Sequence, residues 1–177
     1  MKRPELEHKM EKYLEFLVIE FLPKCKNEKP VVLHSLRVSL KLYELGYEEN
    51  IVLGALLHDV VEDSSISLED IKNKFGTEMS ILVESLTEDK SIDDKVKRNE
   101  ALINQSVNYG RSSLIIKCAD ILDNSMYHYL VKDEKVSDRL FKKYNYFLNK
   151  AVLIKNEPIY KELIEQVNKL KEEMNHE

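Results

Sequence analysis

The 177-residue chain has no tryptophan and only two cysteines, four glycines and four prolines. Cys25 and Cys118 stand far apart without CxxC spacing, which excludes a zinc ribbon and a disulfide framework and leaves two inert thiols as the expectation. So few glycines and prolines cannot supply the turns of a β-sandwich or barrel, while abundant Leu, Ile, Glu and Lys favour helices. The expected fold class is therefore all-α. No apolar run is long enough to cross a bilayer, and the opening Met-Lys-Arg-Pro-Glu-Leu-Glu-His is charged rather than apolar. These features predict a cytoplasmic protein with no membrane partner. A net charge of −5 argues against broad nucleic-acid binding, although local basic residues remain able to hold a small polyanion. With 43% hydrophobic and 33% charged residues, the composition suits a single compact domain over residues 1–177.

Helical periodicity organises the chain. Leu6, Met10, Tyr13, Leu14, Leu17, Val18 and Phe21 predict a first helix that Pro23 stops, followed by a basic link containing Lys24, Lys26 and Lys29. Pro30 opens a helix that carries His34 and ends at Gly46, and Asn50 is the expected N-cap of the next. Ser67 to Asp70 reads as a capping box for a helix reaching Phe75, with Gly76 at its end. Further helices are expected over Glu78 to Leu86, Val96 to Val107 and Leu114 to Asn124, with a polar loop from Thr87 to Asp94. The stripe Leu140, Phe141, Tyr144, Phe147, Leu148 and Val152 suits core packing, with a dimer surface as its other use, so a homo-oligomer stays compatible with the sequence. Pro158 precedes a last helix to about Met174. His8, His128 and His176 have no evident partner and read as surface residues.

One segment departs from ordinary amphipathic patterning: Leu53-Gly-Ala-Leu-Leu-His58-Asp59-Val-Val-Glu62-Asp63. A helix apolar nearly all round is buried, and buried charges are costly unless paired or bound to a cation. Read as one helix, the segment puts three carboxylates near a C-terminus, where the helix dipole repels them. A divalent cation answers both problems. Leu114-Ile-Ile-Lys117-Cys-Ala-Asp120-Ile-Leu-Asp123-Asn124 repeats the pattern of a buried helix interrupted by polar residues. His34, His58, Asp59 and Asp120 together offer two imidazoles and two carboxylates, a set suited to Mn, Fe or Zn. His58 and Glu62, like Asp59 and Asp63, stand four apart and would stack along neighbouring helix faces.

These residues resemble the signature of the HD-domain metal-dependent phosphohydrolases: a His, then His-Asp, then a distant Asp. Ala55-Leu-Leu-His-Asp-Val-Val-Glu-Asp63 is similar to the HDxxED motif of the (p)ppGpp hydrolases, the RelA/SpoT and Mesh1-like group. Ile115-Ile-Lys-Cys-Ala-Asp-Ile-Leu-Asp-Asn124 resembles that group's second signature, and Phe75-Gly76 with Leu82-Val83-Glu-Ser-Leu-Thr87 a third segment. The resemblance runs from about Pro30 to Asn124. It implies a compact HD-domain helical bundle with the metal site between core helices, a motif-bearing core over about 30–130, and C-terminal helices at 135–175 packing on it. It also implies Mn(II) held by His34, His58, Asp59 and Asp120, with Glu62 and Asp63 as catalytic carboxylates. Asn124, Lys24, Lys26 and Lys117 are the substrate-binding candidates, and the partner is a small nucleotide whose 3′-diphosphate leaves as pyrophosphate. Val31 and Val32 follow Pro30 where the group carries an aromatic, and Ile121 and Asp123 replace its Arg and His. Those departures spare the ligands and keep open two other readings: a 5′-nucleotidase-like phosphohydrolase with a different substrate, and a non-enzymatic nucleotide-sensing HD domain.

Overall fold

A computed structural model describes residues 3–25 and 30–174, all helix, turn or loop, with no strand among them. The α-helices are α1 (Arg3–Phe16), α2 (Val31–Glu44), α3 (Glu49–Leu57), α4 (Val60–Asp63), α5 (Leu68–Phe75), α6 (Thr77–Glu84), α7 (Lys95–Tyr109), α8 (Arg111–Ser125), α9 (Glu134–Lys150) and α10 (Pro158–Met174). The all-α expectation holds. Contacts divide the chain into two compact units, one ending at Thr87 and the other starting at Glu88.

The first unit is built around α3. Every residue from Ile51 to Leu57 is buried, so this helix needs apolar neighbours on all sides. α2 supplies one of them through Val38 and Leu42, and the buried Ser39 hydroxyl donates to the Val52 carbonyl at 2.7 Å. α1 packs against α3 as well, while its Tyr13 and Phe16 rings contact Phe75 on α5 at 4.4 and 5.0 Å between centroids. Ser67 caps α5 in a full capping box with Asp70, as the sequence predicts. Ser67 holds the exposed Asp70 carboxyl below its usual range by hydrogen bonding. Gly76, at φ 92°, both ends α5 and starts α6, a conformation that side chains with a Cβ rarely adopt.

In the second unit, α8 is the central element, buried at almost every position from Ser113 to Leu122. α7 and α10 pack on it, and α9 packs on α7 and α10. Tyr144 and Phe147 of α9 are fully enclosed, but Val152, just past the helix, is 57% exposed, so the predicted stripe is core at its centre and surface at its end. Tyr160 ties α10 back to α9 by donating to the Leu148 carbonyl at 2.7 Å. Cys118 is buried, and burial pushes its thiol well above the usual range, in keeping with an inert role.

Four local expectations are corrected. Asn50 is not an N-cap: Glu48 takes the extended cap conformation and its carbonyl accepts from Ile51 and Val52, so the helix begins ahead of Asn50. The first helix does not run uniformly to Phe21; after Phe16 it widens into a π-helical turn over Leu17–Phe21 and then tightens over Leu22–Lys24. His128 is not a surface residue but is buried beneath α9, where Nε2 lies 2.9 Å from the Ser137 hydroxyl and the ring faces Phe141 and Tyr144. Periodicity could not show this, because His128 sits in a short 3₁₀ turn between helices. The fourth correction concerns the helix that carries His58 and is taken up with the site. His176 lies outside the described residues, and His8 is exposed as expected.

Two outcomes follow for stability. Ser67→Ala removes the hydroxyl that accepts from the Asp70 N–H and leaves the backbone bond from the Ser67 N–H to the Asp70 carboxylate; it is expected to cost about 1 kcal/mol, read as a lowered melting temperature with unchanged helical circular dichroism. Burial depresses the His128 pKa, so the unfolded chain takes up its proton first as pH falls. The stability of the neutral buried ring is fully present above about pH 6.5 and is lost progressively below it. The melting temperature of the unaltered chain is therefore expected to fall more steeply from pH 7 to 5 than that of His128→Gln; equal slopes would contradict this.

Candidate metal centre

The sequence reads Leu53 to Asp63 as one helix, and the structure breaks it. α3 ends at Leu57, His58 and Asp59 form a turn, and α4 begins at Val60. Asp59 has φ −101° and ψ −2°, the bridge region where turn and active-site residues gather. Val60, the first residue after the turn, is fully buried. The break also separates the carboxylates from the end of α3. Asp59 becomes the N-cap of α4, a single turn whose last two residues are Glu62 and Asp63. His58 and Glu62 consequently do not share one continuous helix face, although the Asp63 N–H still donates to the Asp59 carbonyl at 2.9 Å.

This turn brings His58 and Asp59 beside His34 of α2 within the first unit. His58 is completely buried, and its Nδ1 lies 2.8 Å from the Ala55 carbonyl. A carbonyl only accepts, so that bond places the ring proton on Nδ1 and leaves a lone pair on Nε2. His34, on the first turn of α2, brings its Nε2 to 3.2 Å from that of His58. The Asp59 carboxylate lies 3.2 Å from His58 Nε2 through Oδ1 and 3.5 Å from His34 Nε2 through Oδ2. Asp59 makes no side-chain cap bond to α4, so its carboxylate is not spent on the helix start.

The donor set fits a transition-metal ion. Bonds of about 2.1 Å put neighbouring ligand atoms roughly 3.0–3.4 Å apart in octahedral or tetrahedral shells; the two Nε2 atoms stand 3.2 Å apart, and each has its own Asp59 oxygen within 3.5 Å. The Ala55 carbonyl behind His58 is the usual outer partner of a metal-binding imidazole. Sequence reasoning missed it because a backbone oxygen leaves no trace in residue type. Glu62 and Asp63 are half-buried on α4, directly after these donors in the chain.

In the second unit, Asp120 is buried on α8. Its Oδ2 lies 2.9 Å from the Lys117 ammonium, and the Asn124 amide donates to its Oδ1. Tyr144 has its pKa raised to about 12, mainly by burial and further by the Asp120 charge, so its hydroxyl stays neutral. Lys24 is exposed on the turn after the π-helical segment, in a cleft with Phe16, Glu20, Asp70 and Lys74. None of the metal-site residues lines that cleft. Lys26 lies outside the described residues.

Comparison with known proteins agrees with this chemistry. Residues 22–133 match the family model of the HD domain. A guanosine-3′,5′-bis(diphosphate) 3′-pyrophosphohydrolase of Aquifex aeolicus is 36% identical over 121 residues, which cover 63% of this chain and 16% of that protein. The 3′-pyrophosphohydrolase MESH1 of Drosophila melanogaster is 38% identical over 103 residues, 57% of each chain. The chain thus spans from about a sixth to somewhat over half the length of these two relatives. Among solved structures, a metazoan ortholog of SpoT described as hydrolysing ppGpp superposes with a TM-score of 0.77 and 26% identity, over 91% of this chain and 94% of that one. A protein of Listeria monocytogenes EGD-e superposes with a TM-score of 0.70 and 28% identity, over 83% and 98%. With the family model covering well over half its residues and the His-Asp pair held as a buried donor set, this chain belongs to the HD-domain family.

Proposed function

We propose that this protein hydrolyses the 3′-diphosphate of (p)ppGpp or a closely related nucleotide, releasing pyrophosphate, with Mn(II) as its metal. The observation that carries the reading is the convergence of His34, His58 and Asp59, in a chain whose relatives are named as enzymes of that reaction. Asp120, the distant acid of the family signature, is the fourth ligand in this reading. The family model crosses Thr87 without interruption, which supports treating the two units as one functional domain.

His34, His58, Asp59 and Asp120 would hold the divalent cation, which would supply Lewis acidity toward water and phosphoryl oxygens. The other parts belong to the chain. Glu62, seconded by Asp63, orients the attacking water and takes its proton. The water oxygen bonds to the phosphorus attached to the ribose 3′ oxygen, the bond from that phosphorus to the 3′ oxygen breaks, and the 3′ oxygen takes up a proton, the one Glu62 received, to become a hydroxyl. The diphosphate leaves as pyrophosphate and the nucleoside keeps its 5′-diphosphate. Lys24 and Lys26 are the basic residues proposed to attract the polyanion, and Lys117 and Asn124 bear on the site through Asp120. The buried walls of α3 keep bulk water from competing for His58. A small nucleotide is the proposed partner, in the cytoplasm; no described helix is long and apolar enough to cross a membrane.

The test is incubation of metal-stripped protein with ppGpp, with and without Mn(II), resolving pyrophosphate from orthophosphate. Pyrophosphate release that requires Mn(II) is expected, together with a loss of roughly 10²–10⁴-fold in kcat for Glu62→Ala at unchanged metal binding. Orthophosphate as the product would point instead to a 5′-nucleotidase-like enzyme. Nucleotide binding without turnover would point to a sensor.

A further inference from the structure

The structure assigns Lys117 and Asn124 to a clamp that fixes the orientation of the Asp120 carboxylate, making both of them positioning residues for a metal ligand. This inference rests on the proposed role of Asp120 in the metal site. The three residues lie along one face of α8, at spacings of three and four. Lys117 Nζ approaches Oδ2 at 2.9 Å, and Asn124 Nδ2 donates both to Oδ1 and, at 3.0 Å, to the Asp120 carbonyl. Each carboxylate oxygen thus has a donor of its own, which prevents rotation about the terminal bond. A carboxylate accepts at about four lone-pair positions, and these two donors take one on each oxygen.

Stability does not explain this arrangement. The Lys117 and Asp120 side chains are both only 6% exposed, and a buried ion pair is often no better for folding than apolar residues of the same size. A lysine that precedes its acid along the helix is also the less favourable order for such a pair. α8 already buries an apolar surface on most of its length and gains little from two internal charges. The pair is explained if the carboxylate has to present itself in one direction. Metal-binding carboxylates are commonly held by outer hydrogen bonds in this way, and loss of such partners weakens metal binding about 10–100-fold. The same contact turns the Lys117 ammonium toward Asp120 and away from the phosphate-binding role that its place in the motif suggests.

The experiment compares the unaltered full chain with Lys117→Met and Asn124→Ala. Mn(II) affinity is read by titration calorimetry and by the Mn(II) paramagnetic resonance signal, metal-free melting is recorded, and ppGpp kinetics are measured at limiting and saturating Mn(II). Both variants are expected to bind Mn(II) about 10–100-fold more weakly and to recover most of their turnover at saturating Mn(II), with KM for ppGpp little changed. Unchanged or tighter Mn(II) binding overturns the clamp, as does a KM raised at saturating Mn(II), the mark of a phosphate-binding lysine. If Lys117→Met fails to melt cooperatively, Asn124→Ala decides alone, because Asn124 is exposed and its loss leaves the α8 core intact. Full Mn(II) affinity in both variants of an active enzyme defeats the clamp only. An unaltered chain that binds no divalent cation defeats the clamp and the proposed function together.

Discussion

The hydrogen bond from His58 Nδ1 to the Ala55 carbonyl is the contact on which the rest of the site depends. A fully buried imidazole must have its polar atoms satisfied, and one nitrogen is satisfied by the last turn of the helix that His58 ends. The ring proton is thereby committed, and the remaining nitrogen becomes a lone pair directed at His34 and Asp59. Ala55 lies in the apolar, buried stretch from Ile51 to Leu57, so that carbonyl is placed by the core around it. The hydrophobic effect that buries Ile51 to Leu57 is therefore also what sets the tautomer of a ligand.

The break after Leu57 decides where the neighbouring carboxylates lie. One uninterrupted helix would have faced Asp59, Glu62 and Asp63 with the negative end of the α3 dipole. The turn at His58 and Asp59 ends that helix first: Val60 is buried, Asp59 caps the short helix that follows, and Glu62 and Asp63 close it. Both buried polar helices follow one rule: each internal charge or imidazole has a partner, Ala55 for His58 and Lys117 with Asn124 for Asp120.

Much of this could be read in advance because helical period, capping chemistry and motif order are local properties of a chain. The Ser67 capping box, the Gly76 boundary and the burial of α3 and α8 were all legible from residues within a few positions of each other. The cap of α3 was misplaced because Glu48 uses its backbone conformation and Asn50 contributes nothing that its residue type suggests. His128 escaped because its neighbours Ser137 and Tyr144 are brought to it by the return of α9, a non-local event. Lys117 looked like a phosphate ligand from its motif, whereas its ion pair with Asp120 depends on rotamers that spacing permits and does not require.

What the sequence determined by itself was the class of fold, the ligand types, and their order along the chain, since hydrophobic period and donor chemistry are carried by residue identity alone. Tertiary structure decided where the His58 helix stops, which imidazole nitrogen is offered, and which lysine is committed to a carboxylate. Those outcomes depend on how buried groups satisfy one another once packing has chosen their neighbours, and no single residue type encodes that choice.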